Sequence, residues 1–306
     1  MPDNEDRSLI SLHDGSLANT AVGAQRIMSA MVGEMLALTR QEQAGIQSAK
    51  RKIGDYEFCD PDYRQILLWA EAMSLEPLTV IERLLDDGTL FGLGEPGHST
   101  DWTLTRFSNG RIETLYWDRR QLPLRKFEWV EGLEITSFAF SNEYQPPWKI
   151  TALSLPLPKL RFLLCAHLGI TELDLSLVPS LTTLDCRCTQ ITKLDLSRVP
   201  NLTLLCCATT KIDELDLSCV PNLTSLDCDF TQIAELDLSR VPNLMFLFCW
   251  DTQITKLDLS RVPNLTTLNC QGTQISELDI RSCENLSWLN YDEEQTKLIQ
   301  RDDQDF

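Results

Sequence analysis

One spacing governs the second half of this 306-residue chain. Proline recurs at Pro179, Pro200, Pro221, Pro242 and Pro263, always 21 residues apart. Ile170, Ile191, Ile212, Ile233, Ile254 and Ile275 keep the same step. So do Cys165, Cys186, Cys207, Cys228, Cys249 and Cys270, with Tyr291 next in the column. Written from its first leucine, the unit is L-x-x-L-x-C-x-x-T-x-I-x-x-L-D-L-S-x-V-P-N, as in Leu181–Asn201. A fixed period near 20 residues is the mark of a solenoid: one unit cannot bury its apolar row alone, and stacked neighbours close the core.

Each unit holds two short extended segments, such as Thr183–Arg187 and Lys193–Leu196, with alternate residues pointing inward. Seven copies at about 4.8 Å per strand predict a rod roughly 30 Å long. The first copy, Ile150–Gly169, is one residue short and carries Pro156-Leu157-Pro158 in place of the usual turn. The last breaks down at Ser282-Cys283-Glu284, at Tyr291 and at Glu293-Glu294. Atypical end units are what capping a stack requires.

The spacing L-x-x-L-x-[LC]-x-x-[NCT]-x-[LI] resembles the leucine-rich repeat. Because I-x-x-L-D-L-S restates the same rhythm in the second half of the unit, it is similar to the nested 21-residue bacterial class called IRREKO repeats. The resemblance covers residues 150–295. Two columns depart from it. Thr189, Thr210, Thr231, Thr252 and Thr273 stand where the family has asparagine, and cysteine fills a leucine column. A threonine hydroxyl in that place is expected to hydrogen-bond along the stack.

The first half reads differently. Residues 17–50 are helix-permissive, with Ile27, Met31, Val32, Met35 and Leu38 at a helical period. Asp60-Pro61 predicts a helix start with Asp60 as N-cap. A further helix is expected from Pro77 to Asp87, ending at Gly88. Asp101–Phe107 and Arg111–Trp117 flank Ser108-Asn109-Gly110, a hairpin signal. Five of the seven tryptophans, at 69, 102, 117, 129 and 148, lie here and imply a second core docked on the open end of the solenoid. Leu133–Phe140 reads as a degenerate early repeat. The chain thus divides into a disordered 1–20, a helical and hairpin domain over 21–149, the solenoid over 150–295, and an acidic tail over 296–306. The fold class is α+β: a parallel leucine-rich-repeat solenoid capped by that N-terminal domain.

Charge narrows the partners. The net charge is −18, and both halves are acidic. Phosphate backbones and anionic membranes would be repelled, so no nucleic acid and no membrane partner is expected. The first twenty residues lack the basic start and apolar run of a secretory signal, and no stretch is apolar enough to span a bilayer. Eleven cysteines is an odd number, and their periodicity already explains most of them, so a reducing cytoplasm is expected. The alternative is translocation into a host cell, whose weak signal is the polar, Ser/Asn-containing N-terminus. No oligomeric state follows from the sequence.

Several constellations in the sequence bear on chemistry. The cysteine column points inward, where thiols pack as small apolar groups; a metal would need convergent ligands. Cys188 and Cys206 face outward. The column Asp174, Asp195, Asp216, Asp237, Asp258 and Asp279 supplies one carboxylate per unit, with Arg and Lys interleaved, and reads as a solvated face. Gly92–Gly97 matches G-x-G-x-x-G but lacks the strand before it and contains Pro96 and Glu95. Leu68–Leu84 resembles a helix-turn-helix, but its reading helix carries a single basic residue, Arg83. Catalysis fits least. The histidines are His13, His98 and His167, and the best pair is His167 beside Cys188, with Asp185 and Arg187 near. No catalytic residue, metal site or cofactor is assigned.

The outward strand positions carry the functional signal, because they vary while the framework repeats. Phe246, Phe248 and Trp250 occupy successive outward sites of one unit. Phe230 borders them, and Trp288 lies two units on. Asp227, Asp229, Asp251 and Asn269 form the rim, with Asp185 and Arg187 further along. An apolar patch rimmed by acid on the expected concave face reads as a site for a protein or peptide with basic groups; the alternative reading is that part of the N-terminal domain or the C-terminal tail folds over it. The function expected is non-catalytic recognition, either in the chain's own cell or as an effector in a host; a Cys–His enzyme is the remaining class.

Overall fold

The computed structural model describes residues 50–85, 105–117, 128–140 and 151–302. The expected disordered 1–20, helix-permissive residues 17–49, the Gly92–Gly97 loop, Gly88, Trp102, Trp148, His13, His98 and tail residues 303–306 lie outside them.

Lys50–Ile53 (β1) and Tyr56–Cys59 (β2) pair antiparallel and lead into Asp60–Met73 (α1) and Pro77–Leu85 (α2). Cys59, rather than Asp60, is the N-cap of α1, and it makes no side-chain capping bond. Asp60 instead takes Arg51 at 3.0 Å and Arg64 at 2.9 Å. Two buried polar side chains of α1 hold the following segments. Asp62 accepts the Ile112 N–H at 2.9 Å and faces Arg111 at 3.3 Å. Gln65 donates to the Glu128 carbonyl at 2.9 Å and accepts the Val130 N–H at 2.7 Å. Burial pushes the Asp62 carboxyl up to about 6 against the pull of the Ile112 N–H and Arg111.

Arg106–Ser108 (β3) and Arg111–Trp117 (β4) form the expected hairpin. Asn109 and Gly110 have φ of 52° and 81°, the two positive values a type I′ turn needs. A Cβ on Gly110 would also lie 3.0 Å from the Glu57 carbonyl, so only glycine lets the turn approach β2. Trp69, Trp117 and Trp129 meet edge-on at 4.9 and 5.9 Å. Their cluster is continuous with the solenoid core, a single apolar interior.

The sheet explains that continuity. Beyond β4, the chain gives Ser137–Phe140 (β5), Ala152–Ser154 (β6), Phe162–Leu164 (β7), Glu172–Asp174 (β8), Thr183–Asp185 (β9), Leu204–Cys206 (β10), Ser225–Asp227 (β11), Phe246–Phe248 (β12), Thr267–Asn269 (β13), Glu277–Asp279 (β14), Trp288–Asn290 (β15) and Lys297–Ile299 (β16). One ten-stranded sheet runs β15-β13-β12-β11-β10-β9-β7-β5-β4-β3, parallel from β15 to β4. Leu133–Phe140 therefore does supply an early rung, and the hairpin joins the same ladder.

The second extended segment behaves differently. It pairs as a strand only at the two ends of the repeat, β6 with β8 and β14 with β16. In the middle units it is not a strand, and single links such as Lys211 N–H to Ile191 O, 3.0 Å, tie neighbours together. On the far side, Val220 N–H to Leu217 O and Leu223 N–H to Val220 O close two tight turns. The Val-Pro pair fits because Val donates and the exposed Pro221 needs no donor.

The two threonine columns divide the labour in an unexpected way. Thr189, Thr210, Thr231, Thr252 and Thr273 do not bond along the stack. Each donates within its own unit, to the carbonyl of the buried cysteine three residues before, at 2.7–2.9 Å. The bonds along the stack come from Thr182, Thr203, Thr224 and Thr266, each donating to the corresponding residue of the preceding unit at 3.0 Å. The Asp column is also structural. In Asp195, Asp216, Asp237 and Asp258, Oδ1 accepts the N–H of the serine two residues on at 2.8–2.9 Å. Hydrogen bonds from that serine hold each carboxyl below its usual range.

Candidate functional site

Register places the outward residues. Phe246 stands beside Ser225 on one neighbouring strand and Thr267 on the other; Phe248 stands beside Asp227 and Asn269. Trp288 pairs with Thr267, which separates it from Phe246. Phe230, Phe246, Trp250 and Trp288 are 42, 39, 40 and 45% exposed, large values for aromatic rings in a folded chain. Phe248 is half-buried. The sequence reading missed Met245, 38% exposed beside Phe246.

The Phe230 and Trp250 rings pack at 4.6 Å between centroids, tilted by 56°. Their backbones are also joined, Phe230 N–H to Trp250 O at 2.8 Å. Phe230 belongs to a column with positive φ: His167, Cys188, Thr209, Phe230 and Asp251 lie at 52–58°, and Gly272 at 67°. Each non-glycine member holds a left-handed conformation that costs about 1–2 kcal/mol. Gly272 makes room for the indole as well, since a Cβ there would meet Trp250 Cδ1 and the Asp251 backbone at 3.3 Å. Trp250 thus sits between the Phe230 ring and a bare glycine.

The rim is less open than its composition suggests. Asp185 is buried and pairs with Arg187 at 3.0 Å. Asn269 is buried and accepts from Asn290 at 3.2 Å. Asp227 Oδ1 accepts the Asp229 N–H at 3.1 Å, and its Oδ2 accepts the Cys206 thiol at 3.2 Å. Asp229 Oδ1 accepts the Trp250 N–H at 2.6 Å. Asp251 is exposed. Burial, then the charge of Asp227, pushes the Asp229 carboxyl up to about 6. Burial likewise raises Asp185 against the pull of Arg187.

The cysteine column is chemically quiet. Cys186, Cys207, Cys228 and Cys249 are buried, and burial raises each thiol well above its usual range. The Cys228 and Cys249 thiols point along the stack at the Phe248 and Asn269 carbonyls, 3.3 Å each. Cys188 is half-buried and its thiol is also raised, by burial first, the opposite of what a reactive thiolate needs. Among the described residues, no group of three or more His, Cys, Asp or Glu converges as a metal site would. No helix there is long and apolar enough to cross a membrane.

The inward Leu, Cys and Ile columns, the parallel ladder and the 21-residue step together define the architecture. The chain is a leucine-rich-repeat solenoid. Neither protein-family models nor curated proteins give a match. Among solved structures, the functional domain of InlJ from Listeria monocytogenes, described as including a cysteine ladder, is 28% identical; the match covers 59% of this chain and 46% of that one, with a TM-score of 0.44. The Leptospira interrogans leucine-rich-repeat protein LIC12759 is 21% identical over 58% of this chain and 51% of that one, TM-score 0.46. YopM from Yersinia enterocolitica is 22% identical over 54% and 46%, TM-score 0.35. The chain spans about half the length of each.

Proposed function

We propose that this solenoid recognises a protein through the outward face of its strand ladder and performs no chemistry there. One observation carries the reading: Phe230, Met245, Phe246 and Trp250 are exposed together on adjoining units, while the framework around them is buried and repetitive. Rings left in water gain nothing from folding, and a contiguous apolar patch of this kind marks an interaction surface. Aromatic anchors surrounded by polar groups match the anatomy of protein interfaces. The acidic surroundings, Asp227, Asp229 and Asp251, favour a partner bearing Lys or Arg and disfavour acidic ones.

The test is affinity capture with the full chain, comparing wild type, Phe246→Ala/Trp250→Ala and Leu177→Ala. Leu177 is equally exposed, at 45%, in an inter-unit turn away from the ladder. A partner retained by wild type and Leu177→Ala but lost by the double variant supports the reading. A partner indifferent to the double variant and lost with Leu177→Ala contradicts it.

A further inference from the structure

The apolar patch and the acid groups meet at one point. In the column that faces outward just after each strand, the order is Arg187, Ala208, Asp229, Trp250. On one side Asp229 neighbours the small, buried Ala208, and on the other the exposed Trp250. Arg187 is committed to Asp185 at 3.0 Å. Asp229 Oδ1 is taken by the Trp250 backbone N–H, and among the described residues no hydrogen bond reaches Oδ2. Asp227 adds a second negative charge on the same unit, with both its oxygens already occupied. Burial and then the charge of Asp227 raise the Asp229 pKa, and the Trp250 backbone N–H opposes them. A half-buried carboxylate beside a like charge and an aromatic face is complementary to a flat cation. The guanidinium group stacks on indole and donates in plane to carboxylate, which an ammonium cannot do at once.

We propose that the notch between Asp229 and Trp250 takes an arginine side chain of a partner protein, the guanidinium stacked on the Trp250 indole and donating to Asp229 Oδ2. This rests on the ladder face being the recognition surface, and it names what that surface selects: an extended basic segment in which arginine sits next to apolar residues that cover Phe246 and Phe248.

The experiment uses the full chain and three fluorescein-labelled decapeptides: alternating Arg-Leu, its Lys-Leu counterpart and its neutral citrulline-Leu isostere. Binding is read by anisotropy at fixed ionic strength. The arginine peptide is expected to bind about tenfold tighter than the citrulline peptide, with lysine between them. Asp229→Asn keeps an acceptor for the Trp250 backbone N–H and is expected to abolish the preference for arginine over citrulline. Glu235→Gln, a charge removed from the opposite, exposed side, is expected to preserve it. Equal binding of arginine and citrulline peptides, or an arginine preference that survives Asp229→Asn, overturns the notch. If Phe246→Ala still weakens all three peptides, the recognition reading stands without it. If neither Phe246→Ala nor Trp250→Ala changes any binding, both fall. Sedimentation showing a dimer that Trp250→Ala dissolves, with no peptide bound, makes a second copy the occupant and overturns the proposal.

Discussion

Thr224→Val and Thr231→Val remove the same hydroxyl from the same unit and should differ sharply in cost. Thr231 is buried and donates to the Cys228 carbonyl at 2.7 Å. Among the described residues that carbonyl receives no other hydrogen bond, because its own position lies just past the end of β11. Valine there leaves a buried acceptor unsatisfied, at a cost of about 1–3 kcal/mol. Thr224 donates to the Thr203 carbonyl at 3.0 Å, but that oxygen also receives the Thr224 N–H at 2.8 Å and the Ser225 N–H at 3.1 Å. Its hydroxyl is a third donor at a part-exposed site, and Thr224→Val should change stability by less than about 0.5 kcal/mol. Urea unfolding followed by circular dichroism measures both. Equal losses, or the larger loss at Thr224, would refute the division between the two threonine columns.

Backbone strain gives a pair of opposite effects. Thr209→Gly relieves about 1–2 kcal/mol of left-handed strain against a glycine entropy cost of about 0.5–1, a net gain of up to about 1.5 kcal/mol; Gly272→Ala should lose about 1–2 kcal/mol, both read by the same urea assay. The Asp62 pKa stands near 6 in the fold against 3.8 as the ordinary value. The fold therefore binds its proton more tightly, and that stabilisation is complete below about pH 4 and lost as pH rises through 6. Asp62→Asn should flatten the stability profile in that window by up to about 1.4 kcal/mol per pH unit; an unchanged slope in urea titrations would count against the burial argument. Cys188 should react with a thiol reagent at pH 7 more slowly than free cysteine, as timed mass spectrometry would show, and a faster reaction would reopen the Cys–His pairing.

The period revealed the solenoid because every unit must present the same inward residues at the same step. It also led directly to Phe246 and Trp250, since what varies on a rigid repeat is free of the framework. Other features left no comparable trace. Thr231 and Thr224 are the same residue type, and only burial separates their roles. The left-handed column contains His, Cys, Thr, Phe and Asp, with glycine only at Gly272, so no turn signal marked it. β4 and β5 share the ladder without the repeat's consensus: Phe138 fills the leucine position opposite Leu115, and Trp117 and Phe140 fill the position two residues on, where the repeat has cysteine. Asp185 and Asn269 stand at outward positions yet are buried, because side chains one rung apart, about 4.8 Å, cover each other. Asp60 matched a cap signal but serves two arginines instead.

Site-specific photocrosslinking is the most direct test of recognition through the ladder face. A benzophenone amino acid is placed at Phe246 and, separately, at Leu177 of the full chain, which is then irradiated in lysate of the source cell. The account predicts a discrete covalent adduct with another protein from position 246, diminished by an added Trp250→Ala substitution, and none from position 177. An adduct confined to position 177, or only adducts within the chain itself at position 246, would contradict it.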